Sequence, residues 1–501
     1  MKNKSVKKNY ILNMIYQIFL LIVPIAVTPY VSRVLTEAGT GKFSYTFSIV
    51  TYFTLFAALG FGYYGQRLIA GKQNDKYGQS VDFWNVFIAR MIPVFIATLI
   101  YVILFSLNVY GSDYTYLMSI MTINVIAVLF DITFYFQGNE DFGKIVVRNV
   151  FIKTISIISI FALVKNEDDL WLYVLIQSLT VIISNISLWL YLPKFLCKVK
   201  FSDLNPIKHL LPTFILFIPT IAVSVYTTLD KTLIGIMVKG TEEVFTESGI
   251  VVKKLSDIEN GNYEYSEKLV KMAMTIVTSL GTVMIPRNSY KFANNDIEGV
   301  VNNIYKSCRF VLLLAIPMVL GSICVADNLM PWYLGDGYNK AANLMKILSP
   351  LILIIGLSNV FGLQFLIPAK KDKFFTISVL CGAIVNLTLN LILIPRIYSY
   401  GAAIATVVGE LVVTMLCLIF SSKNIKFTKV FLPSWKYYIA GSVMFVLCYF
   451  LQNMLSSSII NTFMIVVAGV IVYGLLLMFM RDSFAIKAID FLKVKIFKKS
   501  S

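Results

Sequence analysis

The sequence predicts an all-α integral membrane protein of about fourteen transmembrane helices. Three observations carry that reading. Of the 501 residues, 57% are hydrophobic and only 14% are charged, against about 25% charged in an average globular domain. Apolar runs of about 20 residues recur from end to end, each long enough to cross a hydrocarbon layer of about 30 Å. Most of the 44 Lys and Arg fall on one side when these runs are threaded alternately through a bilayer from a cytoplasmic MKNKSVKK.

In chain order the runs are 10–33, 43–63, 83–107, 115–137, 147–164, 171–192, 210–237, 262–286, 309–326, 341–368, 375–394, 402–421, 437–453 and 459–480. The first follows a basic start and imitates a secretory signal. It is too long for one and ends in no small-residue cleavage site, so it is expected to be a retained span. The segments PKFLCKVK, AKKDK, SSKNIKFTK and the tail FLKVKIFKKSS make up the basic side. The opposite loops include the acidic KNEDD and TEEVFTESG. This asymmetry places both termini in the cytoplasm. It also accounts for the net charge of +17 without a nucleic acid, since the basic tail suits anionic lipid heads.

Spans one and two recur as spans seven and eight. IVPIAVTPYVS (22–32) lies over IPTIAVSVYTT (218–228) without a gap, sharing two Ile, Ala, Val and Tyr. GKFSYTFSIV (41–50) lies over GNYEYSEKLV (261–270), and the same offset puts Arg67 on Arg287. The change of offset leaves about 24 extra residues in the outward loop 238–262. A shift of six spans keeps orientation, so the repeat is parallel, with an expected substrate site where the halves meet. The expected domains are an N-lobe at 1–200, a C-lobe at 201–425, and two further helices with the basic tail at 426–501.

Several motifs carry little. GFGYYG (60–65) fits a dinucleotide fingerprint but ends a membrane helix instead of following a strand. EAGTGKFS has Thr36 where a phosphate loop needs its first glycine. The six cysteines are scattered singly, which argues against disulfides and metal sites. The only histidine, His209, sits where a cytoplasmic loop meets a span and is read as an interfacial side chain. No catalytic constellation stands out, so no enzyme activity is expected. No cofactor is expected either; transport would draw on an H⁺ or Na⁺ gradient, the membrane potential or the substrate's own gradient.

Ionisable groups at membrane depth are costly and usually face a protein interior or a wet cavity. Here the prevailing sign is positive: Arg33, Lys231, Lys268 and Lys271 in the outer half, Lys42 at its edge, and Arg90 and Lys153 nearer the inner face. Arg33 either snorkels to the outer interface or lines a cavity. In span eight Glu264, Lys268, Lys271, Thr275, Thr278 and Thr282 follow helical spacing and form one polar stripe. In span seven Tyr226 and Asp230 share a face, and Asp230 either neutralises a lysine or joins a wet, anion-favouring path. Asp131, Glu410 and the pair Asn386 and Asn390 serve either interhelical hydrogen bonding or ion coupling. Pro24, Pro29, Pro219 and Pro317 each remove a backbone bond and should bend their helices.

Read together, IVPIAVTPYVSRVLTEAGTGKFSYTFSIVTYF, LGFGYYGQRLIA, DITFYFQGNEDFGKIVVRN, NYEYSEKLVKMAMTIVTSLGTVMIPR and GAIVNLTLNLILIP…GAAIATVVGE resemble the Wzx-type oligosaccharide flippases of the multidrug/oligosaccharidyl-lipid/polysaccharide exporter superfamily. The resemblance covers nearly the whole chain and weakens after about residue 425. It implies a MATE-like arrangement of two six-helix lobes plus two helices, working by alternating access. It also implies a bacterial cytoplasmic membrane location. The implied substrate is an oligosaccharide repeat unit on a polyprenyl pyrophosphate, moved to the outer leaflet for surface polysaccharide biosynthesis, with membrane lipids and polysaccharide assembly proteins as partners. A cation-lined cavity carries over first to Lys268 and Lys271, then to Arg33, Lys231 and Arg90. The loop 238–262 departs from the pattern.

Three rivals stand beside this reading. A multidrug exporter of the same superfamily would want carboxylates in its cavity, and 10–33 has no Asp or Glu. A lipid II flippase shares the fold and the cationic cavity. An integral-membrane polymerase or ligase acting on the same lipid would want a large outward loop with catalytic groups.

Overall fold

The computed structural model describes residues 6–72, 75–246, 249–482 and 486. The side chains of Pro219, Tyr226 and Thr282 and the basic tail from 487 onward, all used in the expectations above, lie outside the described residues. The described residues are mostly helical, and ten helices among them are long and apolar enough to cross a membrane. Two of these stretches, 22–71 and 372–421, are 50 residues long and each spans two of the predicted runs.

The first compact unit covers residues 1–261. Its elements are α1 (Val6–Ala58), α2 (Phe61–Gly71), α3 (Lys76–Ser106), α4 (Thr115–Ala127), α5 (Thr133–Gly138), α6 (Phe142–Leu163), α7 (Leu170–Ser187) and α8 (Leu210–Met237), then the strands β1 (Thr241–Thr246) and β2 (Gly249–Lys254). The second unit covers 262–501. Helix α9 (Leu255–Thr278) leads into it, followed by α10 (Leu280–Ala293), α11 (Ile297–Leu334), α12 (Ala341–Leu348), α13 (Leu351–Ser358), a π-helical turn at Asn359–Leu366, α14 (Asp372–Ser421), α15 (Thr428–Phe431), α16 (Trp435–Met454) and α17 (Ile459–Phe479).

The breaks in the long helices fall at identifiable residues. Helix α1 contains Pro24 and Pro29 and is broken at Thr36, whose φ of 58° and ψ of 177° leave the helical region. Helix α14 is broken at Ile397 and Tyr398, just after Pro395. The predicted run 115–137 is interrupted between α4 and α5. Pro317 and Pro331 both lie inside α11. Helix starts are capped by side chains: Asp75 accepts from the Gly78 amide and Asp296 from the Gly299 amide, each at 2.8 Å.

Tight contacts gather the loops of the first unit at two ends, as alternate threading of the sequence requires. At one end Lys253 meets Thr36, Glu37 and Glu167, and Lys254 meets Asp113. At the other end Tyr64 meets His209, Gln79 meets Asn139, and Tyr77 meets Asp203. We call these ends outer and inner, following the charge asymmetry. The second unit sorts likewise. The Lys340 amide donates to Asn262 Oδ1 and its ammonium sits over the Tyr398 ring at the outer end, while Lys371 meets Asn424 and Arg309 meets Asp482 at the inner end.

The long outward loop is an antiparallel hairpin, Thr241 pairing with Lys254 and Glu243 with Val252. It occupies the place of the extra residues in the repeat. The repeat is also visible in packing. A methyl group built on Gly41 would overlap the Asp257 carbonyl oxygen, and one built on Gly261 would overlap the Glu37 carbonyl oxygen. Glu37 and Gly41 are the repeat counterparts of Asp257 and Gly261. The two segments therefore cross symmetrically, at a separation only glycine permits.

Candidate functional site

The outer end of the first unit is built around the break in α1. The Lys253 ammonium is buried; it donates to Thr36 Oγ1 at 3.0 Å and to Glu167 Oε2 at 3.1 Å, with Glu37 Oε1 at 3.9 Å. A buried charge needs such partners to offset its desolvation. Thr36 Oγ1 in turn donates to Glu167 Oε1 at 3.0 Å. The hairpin is pinned a second time by Lys254 Nζ on Asp113 at 2.6 Å. The Lys254 ammonium holds the Asp113 carboxyl below the usual carboxylate range.

Deeper in this unit, Thr232 of α8 bonds Ser48 at 2.8 Å and Tyr52 at 3.1 Å on α1. Asp230, two residues before Thr232, is buried within electrostatic reach of the Tyr52 hydroxyl. Lys231 is half-buried, and its carbonyl accepts from Asn260 at 3.1 Å. Arg33 is exposed, and its guanidinium donates to the Pro29 carbonyl at 3.3 Å.

Arg90 and Asp131 come together at the break between α4 and α5. Arg90 is 3% exposed; its guanidinium donates to the carbonyls of Val128, at 3.3 Å, and Asp131. The rings of Phe61 and Phe134 flank it at 5.6 and 5.2 Å. The Asp131 carboxylate accepts from the Thr133 amide at 2.9 Å and so starts α5. Both groups thus satisfy backbone that the break would otherwise leave bare. Lys153 is half-buried on α6.

In the second unit the stripe on α9 faces outward from the packed side. Lys271 and Thr275 are exposed, and Glu264, Lys268 and Thr278 are intermediate, whereas Tyr263, Ser266, Glu267 and Val270 are buried. Lys271 Nζ meets Glu267 Oε1 at 2.6 Å, one turn away. Lys268 Nζ lies 5.5 Å from the centre of the Tyr265 ring. Farther along, a buried polar chain runs from Tyr263 through Thr406 and Asn386 to Asn390, with steps of 3.4, 3.4 and 3.1 Å. Glu410, one turn from Thr406, is 6% exposed, and its carbonyl accepts from Thr414 at 2.9 Å.

Sequence reasoning passed over Glu267, though its i, i+4 spacing to Lys271 was available. It also passed over Lys253, Glu37 and Glu167, which no local pattern links. His209 sits immediately before α8, where the loop meets the span, and is buried there; its Nδ1 shares a 2.7 Å hydrogen bond with Tyr64. Burial, and then the nearby Lys208, push its imidazole below the usual value of 6.5.

A many-helix fold with cationic and carboxylate groups buried along its helices is that of a polytopic membrane protein. Comparison with known proteins makes this particular. A model described as polysaccharide biosynthesis protein matches residues 6–292, and the MatE model matches 244–392. A protein of Escherichia coli (strain K12), named as a candidate O-antigen transporter, is 25% identical over 84% of this chain and 97% of its own length. The lipid II flippase MurJ of Bacillus subtilis (strain 168) is 26% identical over 29% of this chain and 27% of its own. Among solved structures, lipid II flippase MurJ in an inward closed conformation superposes with a TM-score of 0.64 at 14% identity, covering 92% of this chain and 99% of that one. An inward-facing multidrug-resistance MATE transporter gives 0.62 at 12% identity, covering 80% and 93%. The chain belongs to the polysaccharide biosynthesis protein family, as a Wzx-type flippase of the multidrug/oligosaccharidyl-lipid/polysaccharide exporter superfamily.

Proposed function

We propose that the substrate is an oligosaccharide repeat unit linked to a polyprenyl pyrophosphate, carried from the inner to the outer leaflet of a bacterial cytoplasmic membrane by alternating access. The observation that carries this reading is the half-exposed Lys268 and Lys271 stripe on α9, which sets two ammonium groups on a helix otherwise bound for an apolar layer. Its relatives' names, a candidate O-antigen transporter and a lipid II flippase, point to the same class of cargo. A pyrophosphate needs cationic donors, and charge-assisted hydrogen bonds are the strong ones. Lys268 and Lys271 are assigned to it first, then Arg33, Lys231 and Arg90, with Arg90 ranked last because its donors already serve two carbonyls. With the cytoplasm negative, each negative charge moved outward gains about 2.3 kcal/mol per 100 mV. If an H⁺ or Na⁺ is coupled, buried Glu410 and Asp230 are better placed to take it than Asp131, whose carboxylate already accepts from the Thr133 amide.

The test is flipping of a labelled polyprenyl-pyrophosphate oligosaccharide in proteoliposomes with matched protein levels. A charge-assisted bond is worth about 1.5–3 kcal/mol, so Lys268→Ala or Lys271→Ala should weaken substrate binding roughly ten- to a hundredfold. Lys→Arg should be milder, and Lys→Glu worst. Parental rates in both Glu variants would refute the anion assignment. Faster flipping of lipid II in the same vesicles would instead select the neighbouring substrate.

A further inference from the structure

The outer end of the first unit holds a cavity of about 390 Å³ that the translocation reading does not use. This lies within the range of about 300–1,000 Å³ typical of small-molecule sites. Its floor is aromatic: Tyr45 and Tyr114 pack edge to face at 4.9 Å, and Tyr110 lies beside them. Its rim is polar: Lys239, Lys254 and Ser256, all contributed by the hairpin and its flanks. Two of the lining side chains are held by partners. The Tyr114 hydroxyl is tied to Asp257 Oδ1 at 2.8 Å, and Lys254 lies over the Tyr114 ring at 4.9 Å while paired with Asp113. The wall is completed by backbone at Gly111 and Gly240, and a side chain on Gly240 would meet nothing within 4 Å.

This combination is selective. Aromatic faces and hydroxyls suit a hydroxylated ring. Lys239 and Lys254, with Lys42 within electrostatic reach, set three ammonium groups against the carboxylates of Asp113 and Asp257 and leave a net positive rim, which suits a ligand with one negative charge. We propose that this cavity binds an acidic monosaccharide unit, a hydroxylated ring bearing a carboxylate, of the glycan that the flippase delivers to the outer side. The proposal rests on the flippase reading above, and it deepens it by assigning a sugar site to the inserted hairpin. In this site Lys239 meets the carboxylate and Tyr110 stacks on the ring.

The experiment is saturation-transfer difference NMR on the full-length protein in detergent, with glucuronate, glucose and inorganic phosphate as probes. Glucuronate ring protons should receive saturation, and Lys239→Ala and Tyr110→Ala should each reduce the transfer at least fivefold. Lys239 is exposed, so its variant is expected to fold normally, checked by an unchanged gel-filtration profile. Equal transfer to glucose would overturn the acidic character of the ligand. Full displacement of glucuronate by equimolar phosphate would overturn the sugar assignment and leave a bare anion site. Transfer unaffected by both variants, or none at all, would overturn the proposal. Binding is read without translocation, so glucuronate binding in a protein that fails to flip the lipid-linked substrate would fault only the flippase reading.

Discussion

Single residues in this protein show how burial sets the role of a charge. Arg90 and Asp131 sit at a helix break and satisfy carbonyls and an amide there, whereas Lys271 keeps its head in the open and leans on Glu267. His209 is the case with a direct consequence for stability. Its neutral ring is bonded to Tyr64, and its folded pKa lies below its unfolded value. The stability this contributes is fully present above about pH 6.5 and is lost as pH falls through the lowered folded value. Thermal unfolding in detergent between about pH 5 and 8 should therefore show a decline at the acid end that is flatter in His209→Gln. An equal decline in parent and variant would assign the acid sensitivity to other groups.

Among the elements, the decisive one is the crossing of 36–41 with 257–261. Gly41 and Gly261 occupy equivalent places in the repeat, and each lets a carbonyl of the other segment approach its Cα. Gly41→Ala or Gly261→Ala must push the two segments apart and should cost about 1–3 kcal/mol, the usual penalty for overpacking. Gly474 in α17 has no atom within 4 Å of an added Cβ. Gly474→Ala should therefore be neutral or stabilising by up to about 1 kcal/mol, through helix propensity. Melting temperatures of the three variants in one detergent decide the matter; similar melting for all three would mean that the crossing is loosely packed. The hairpin next to this crossing is stapled by Lys253 and Lys254 to the break in α1 and to two loops, which holds an insertion of this length in place.

At the scale of the whole molecule, the sorting of loops to two ends within each unit bears on topology. Asn166 lies at the outer end and Ser422 at the inner end, and both are exposed. A cysteine at Asn166 should react with an impermeant thiol reagent in intact cells, and one at Ser422 only after permeabilisation. Labelling of the Ser422→Cys variant in intact cells would invert or break the threading. The buried polar chain from Tyr263 to Asn390 ties α9 to both arms of α14, giving the second unit a hydrogen-bonded interior where lipid tails could offer none.

The amino-acid sequence alone reveals the membrane class and the helical architecture, and it sets the expectation of a parallel repeat and of a side for each loop. These follow from composition, run length and charge asymmetry, which are local or additive quantities and need no knowledge of packing. It also found the stripe on α9, because helical periodicity fixes which residues share a face. The places where the long helices break, Thr36 and Tyr398, emerge from the fold, where these residues meet the distant Glu167 and Lys340. The tertiary structure alone turned the unassigned loop into a hairpin docked on α1, and it alone assembled Tyr45, Tyr110, Tyr114, Lys239 and Lys254 around one cavity. Those residues are up to about two hundred positions apart in the chain, and no spacing rule relates groups whose nearness is created by the fold.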